Sequence, residues 1–183
     1  MSGKISAHDA HGDQRKVRMK RRIFSELGGF VVYEPALLAR YLDEHGLASG
    51  DVLAYFTQTE HGGAVTEEGI AVPISGVRSD YYDFAVTVGE ASEEIFAQNE
   101  AKIISRGWVF HSSGTLKIAG IGYFKDMSRI SEQNSLSFTL ERGRYRLEIL
   151  GGYRGANFSG APAPLGDTPV FHLRLTPSAE PKF

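Results

Sequence analysis

The six histidines are where a search for chemistry begins, because imidazole titrates near neutral pH, binds metals and activates hydroxyls. His8 and His11 lie with Asp9 and Asp13 in a polar stretch without periodicity, where unanchored ligands would catch a transition metal only adventitiously. His61 opens His61-Gly62-Gly63, superficially like the oxyanion segment of some hydrolases, but the sequence holds no G-x-S-x-G elbow. A solvent-exposed turn is the simpler reading. His111 precedes Ser112 and Ser113. A serine–histidine pair makes a nucleophile when a carboxylate orients the base, yet neighbours on a strand point to opposite faces. There is no H-E-x-x-H, no P-loop and no complete G-x-G-x-x-G, so neither a cofactor nor a metal is expected. Gly120-Ile121-Gly122 reads as a close-packing point within strand-like sequence.

Asp80 and Asp83 enclose Tyr81 and Tyr82 and suit a cation or a polar ligand, while Trp108, Tyr153 and Phe158 supply stacking surface. The candidate ligand-binding set is therefore Asp80, Tyr82, Asp83, Trp108, Tyr153 and Phe158. An enzymatic alternative would pair His61 or His111 with Asp80 or Asp83.

Charge is distributed unevenly. The chain has 20 Lys and Arg against 22 Asp and Glu, and residues 1–22 hold seven of the former and two of the latter. The remaining body, with 13 basic and 20 acidic residues, is left at −7. Such a body suits a basic protein partner and repels nucleic acid. Nucleic acid is expected only at the tail, through Arg15, Lys16, Arg18, Lys20, Arg21 and Arg22. The absence of cysteine excludes disulfides and thiolate metal sites. With no long apolar run either, the expectation is a cytoplasmic protein without a membrane span.

These residues need a scaffold, and the patterning of the 183 residues is mainly that of strands. Residues 1–22 read as a basic extension, 23–177 as one β-rich domain and 178–183 as a C-terminal tail. Phe30 to Pro35, Asp51 to Thr59, Ile70 to Ile74, Tyr82 to Val88, Ile103-Ile104, Trp108 to Phe110, Thr115 to Ala119 and Val170 to Leu175 all read as strands, with a break at Gly28-Gly29 and another at Gly107. Pro35 to Gly46 is the clearest helix, with Leu37, Leu38, Tyr41 and Leu42 at helical spacing, and Ser92 to Asn99 suits a second. Ser135 to Gly152 reads as a β-hairpin, since Leu136, Phe138 and Leu140 match Tyr145, Leu147 and Ile149 across Glu141-Arg142-Gly143, where glycine suits a positive φ. The Gly- and Pro-rich stretch from Gly151 to Pro169 reads as a long loop bordering a binding surface. The fold class expected is an antiparallel β-sandwich or partly open barrel with one or two short helices.

The pattern Leu136-x-Phe138-x-Leu140-x-x-Gly143-x-Tyr145-x-Leu147 resembles a hairpin of small bacterial β-sandwich proteins, including competence-J-like nuclease inhibitors and toxin immunity proteins. It spans about eighteen residues and carries over no functional residue. The resemblance implies a bacterial accessory protein that works by binding. Three functions are thus carried forward: a non-enzymatic binding protein of immunity or inhibitor type, a small-molecule or carbohydrate-binding module, and a hydrolase-like enzyme.

Overall fold

The computed structural model describes residues 18–89, 102–153 and 169–178, with backbone alone at residues 18–21 and 153. Nine strands occur among them: β1 (Arg18–Phe24), β2 (Gly29–Tyr33), β3 (Ala71–Ser75), β4 (Tyr81–Val88), β5 (Ile103–Ser112), β6 (Thr115–Gly120), β7 (Ser135–Thr139), β8 (Gly143–Tyr153) and β9 (Pro169–Pro177). Three α-helices, α1 (Pro35–Glu44), α2 (Val52–Gln58) and α3 (His61–Glu67), all fall between β2 and β3. The strands form a five-stranded sheet, ordered β1-β4-β9-β8-β5, and a four-stranded sheet, ordered β3-β2-β6-β7. The fold is a mainly β, two-sheet sandwich. Its one parallel pair among the described strands is β4 with β9, Asp83 opposite Val170 through Val88 opposite Leu175.

Strand β2 shows why there are three layers. All five of its residues are buried, because Phe30 and Val32 face the core between the sheets while Val31 and Tyr33 face the helices. A strand covered on both faces reads as a continuous apolar run. Between the sheets, Phe30 meets Phe84 edge-on at 5.0 Å and Tyr82 at 5.5 Å, and Phe171 stacks on Tyr82 at 5.3 Å.

Four sequence expectations are corrected. Residues 135–152 are not a hairpin: β7 pairs with β6 in one sheet, whereas β8 pairs with β5 and β9 in the other. Leu136, Phe138, Leu140, Tyr145, Leu147 and Ile149 are all buried in the same core, so the two apolar faces oppose each other across the sandwich. Gly143 accordingly does not have a positive φ. Asp51 to Thr59 is helix α2 rather than a strand, with the Asp51 carboxylate accepting from the Ala54 N–H at 2.8 Å. His61-Gly62-Gly63 opens helix α3 rather than a turn, which makes three helices instead of one or two. Arg18 to Phe24, assigned in part to the basic extension, is edge strand β1 on β4, and its cations suit an edge that must resist pairing with other chains. The second helix expected, Ser92 to Asn99, and most of the Gly151 to Pro169 loop lie outside the described residues.

The outer face of the five-stranded sheet contains a buried polar pair. Thr87 Oγ1 and His172 Nε2 are 2.7 Å apart, with both residues buried. Burial, and then the charge of Arg174, lowers the His172 pKa from 6.5 to about 4. The imidazole is therefore neutral in the fold at a pH where the unfolded chain already binds a proton. Stability is expected to be complete above pH 6.5 and to fall as the pH drops towards 4, by about 3 kcal/mol at most. Denaturant melts of the wild type and of His172→Asn across that range measure it, and parallel curves for the two proteins would contradict it.

Candidate functional site

The helical layer holds six of the ten exposed carboxylates among the described residues. Helix α1 starts where Glu34 accepts from the Leu37 N–H at 2.7 Å, with Pro35 in its first turn. The same buried carboxylate accepts from Ser113 Oγ–H at 2.7 Å, tying the β5–β6 turn to the helix start. Leu38, Tyr41 and Leu42 bury one stripe of α1 on the four-stranded sheet, and Gly46, at φ +67, lets the Leu47 N–H close the helix on the Leu42 carbonyl at 2.7 Å. Helices α2 and α3 lie against each other at Gly62, where a Cβ would sit 1.9 Å from the Phe56 carbonyl oxygen. Gly62→Ala is expected to destabilise the fold by about 3 kcal/mol through overpacking. Gly63→Ala, which meets nothing within 4 Å, is expected to be neutral or mildly stabilising. Thermal melts of the two variants make the comparison, and equal midpoints would refute the contact.

Residues 34–70 contain Glu34, Asp43, Glu44, Asp51, Glu60, Glu67 and Glu68 against one cation, Arg40. All but Glu34 are exposed, and Arg40 pairs with Glu44 at 3.7 Å. Asp43 and Glu44 end α1, while Glu67 and Glu68 end α3. These are positions where the helix dipole disfavours an anion, so local stability does not account for them. Glu68 and Glu60 also act on Tyr41, whose phenol is raised above its ordinary pKa by burial and then by those two charges. Its hydroxyl lies 2.9 Å from His61 Nδ1, and His45 stacks on the Tyr41 ring at 4.1 Å while its Nδ1–H donates to the Tyr41 carbonyl at 2.8 Å.

The opposite side of the sandwich carries the opposite sign. On the outer face of the five-stranded sheet, Arg22 pairs with Asp83 at 3.3 Å, and Glu148 pairs with Arg106 at 3.2 Å and Arg174 at 3.7 Å. Arg144 and Arg146 extend this face, Arg146 opposite Thr176 and Arg144 opposite His111. Among the described side chains of this face, that makes five arginines and two carboxylates.

The sequence-derived candidates are dispersed by this arrangement. Asp80 is exposed and accepts from the Tyr81 N–H at 2.7 Å. Tyr82 is in the core and donates to the Arg78 carbonyl at 3.1 Å. Trp108, half-buried on β5, donates to Ser105 Oγ at 2.8 Å beside the β-bulge between Ser105 and Trp108. β9 and β8 separate β4 from β5, and Asp83 aligns with Gly152 of β8 whereas Trp108 aligns with Leu147, so Asp83 and Trp108 are separated by three strand spacings, about 14 Å, and by a further offset of about 16 Å along the strands. Tyr153 ends β8 opposite Pro169. Its side chain, and the whole of Phe158, Arg15 and Lys16, lie outside the described residues. His61 is in the helical layer and His111 on β5, and neither is brought to Asp80 or Asp83. Ser112 donates to the Leu140 carbonyl at 3.3 Å and takes part in no His–Ser dyad. Among the described residues, no group of three His, Asp or Glu could hold a metal ion, and no helix is long and apolar enough to cross a membrane.

No protein-family model matches the chain, and no curated protein matches it in sequence. Among solved structures it is similar to the crystal structure of ComJ, inhibitor of the DNA degrading activity of NucA, from Bacillus subtilis. The two share 15% identity and a TM-score of 0.49, over 89% of this chain and 99% of that one. It is also similar to the structure titled Crocagin biosynthetic gene J, at 14% identity and a TM-score of 0.46, over 90% of this chain and 99% of that one.

Proposed function

We propose that this protein works by binding rather than catalysis, and that its acidic helical layer engages a basic protein partner as an inhibitor or immunity protein would. The observation that carries the reading is the sorting of charge. Six exposed carboxylates gather on the helices, four of them at helix ends that disfavour anions, while the described side chains on the outer face of the far sheet are mostly arginines. A molecule polarised in this way orients a cationic partner towards one face during diffusional approach. The inhibitor or immunity role is the form of binding that the sequence resemblance implies. The test is capture from the native host with quantitative mass spectrometry, comparing the wild type with a Glu60→Lys, Glu67→Lys, Glu68→Lys triple variant. A cationic protein captured by the first and lost by the second supports the proposal; identical captures overturn it.

A further inference from the structure

The helical layer contains a pocket of about 320 Å³ over β2 and β3, walled by α2 and α3. Leu53, Phe56, Val65 and Phe124 give it an apolar lining, and no charged residue contributes to it. Its polar side chains are Thr57, Thr66 and Ser75. Thr57 Oγ1 donates to the Leu53 carbonyl at 2.8 Å and Thr66 Oγ1 to the Gly62 carbonyl at 2.9 Å. Both hydroxyl protons are used within the helices, so what the threonines offer an occupant is lone pairs. The volume is room for about ten waters, held by few polar partners, and an apolar group that displaces weakly held water gains affinity. At the low end of the range of ligand pockets, it fits a single large side chain better than a drug-sized molecule. In sequence, Glu60 precedes Gly62 and Glu67 follows Thr66, both of which line the pocket.

We infer that this pocket is the socket for one bulky apolar side chain of the partner, carried on a segment with lysine or arginine on either side. This rests on the reading of the helical layer as the partner-binding face and deepens it. Tryptophan is the best occupant, since its ring is the largest apolar group a side chain can offer and its N–H can donate to a threonine lone pair. An aromatic anchor buried in a pocket, ringed by weaker polar contacts, is the common form of an interface hot spot. The flanking cations would meet the carboxylates at low desolvation cost, because the charges stay at the rim.

The probe is the blocked heptapeptide Lys-Lys-Gly-Trp-Gly-Lys-Lys, compared with the version carrying alanine for tryptophan, on full-length protein with labelled Ile, Leu and Val methyl groups. The tryptophan peptide is expected to shift the methyl signals of Leu53, Val65 and Ile121 saturably, at an affinity at least tenfold above that of the alanine peptide. Thr57→Trp, which places a ring at the exposed rim, is expected to remove that advantage. Unchanged methyl signals of Leu147 and Ile149, in the far core, show that the variant folds. Equal binding of the two peptides, still lost in the Glu60, Glu67 and Glu68 triple variant, would overturn the socket and leave the acidic face standing. Binding that ignores both the tryptophan and the three carboxylates, or no binding at millimolar peptide, would overturn both.

Discussion

Phe30→Ala is expected to cost the fold about 5 kcal/mol, the upper end of the range for removing a buried phenylalanine. Phe30 is fully buried on β2, a central strand of the four-stranded sheet. Its ring meets Tyr82, Phe84 and Phe171 edge-on, the last at 6.2 Å, and all three belong to the five-stranded sheet. One side chain therefore joins two sheets through three aromatic pairs, each contributing about 0.5–1.5 kcal/mol beyond burial. Neither sheet can close over the void without moving the other, so little of the cavity term is recovered by relaxation. Against a typical total of 5–15 kcal/mol for a domain, this change alone brings the protein close to unfolding. Urea melts with an unchanged slope and a shifted midpoint give the value. A loss below about 2 kcal/mol would show that the sheets hold together without this cluster.

Reversing Glu60, Glu67 and Glu68 to lysine is expected to slow association with the cationic partner by about 10- to 1000-fold at low salt. The triple change moves the layer by six charges. It puts two cations at the α3 C-terminus, where the dipole favours them, and one at its N-cap, where the dipole does not, so these effects largely offset and stability should hold, and lost binding would not be lost folding. The wild-type rate should itself fall with added salt as the Debye length shrinks from about 10 Å at 0.1 M to about 3 Å at 1 M. Stopped-flow mixing over that range reads both effects. A wild-type rate indifferent to salt would remove the electrostatic account.

The strands of this protein were readable because their alternation is a local property, and β2, β6 and β9 stand where the pattern puts them. Which sheet a strand joins is not local. Leu136, Phe138 and Leu140 alternate identically whether the next strand lies beside them or across the core, so the β7–β8 connection was unreadable at this level. Helix α2 was hidden because Val52, Tyr55 and Phe56 favour strands in isolation, although Asp51 three residues before Ala54 was a capping signal in plain view. The acidity of the body was legible, but its location was not. Asp80 and Asp83 belong to the β4 side of the molecule, while Glu67 and Glu68 belong to the helices. A composition count over residues 34–70 would have found the acidic layer. The socket was beyond reach, since its walls come from a segment misread as a strand and its shape depends on glycine at position 62.

The way the chain alternates between sheets bears on how it can be made. β1 lies in the five-stranded sheet, β2 and β3 in the other, β4 and β5 in the first, β6 and β7 in the second, and β8 and β9 in the first again. The last of the nine to leave the ribosome, β9, is the middle strand of its sheet, seated between β4 and β8. Until it emerges, β1 with β4 and β5 with β8 are two separate ribbons with no shared edge. The four-stranded sheet is complete in sequence once β7 has emerged, but the five-stranded sheet that must cover it cannot close until the chain has been made through β9, so one face of the core waits, exposed, for this segment.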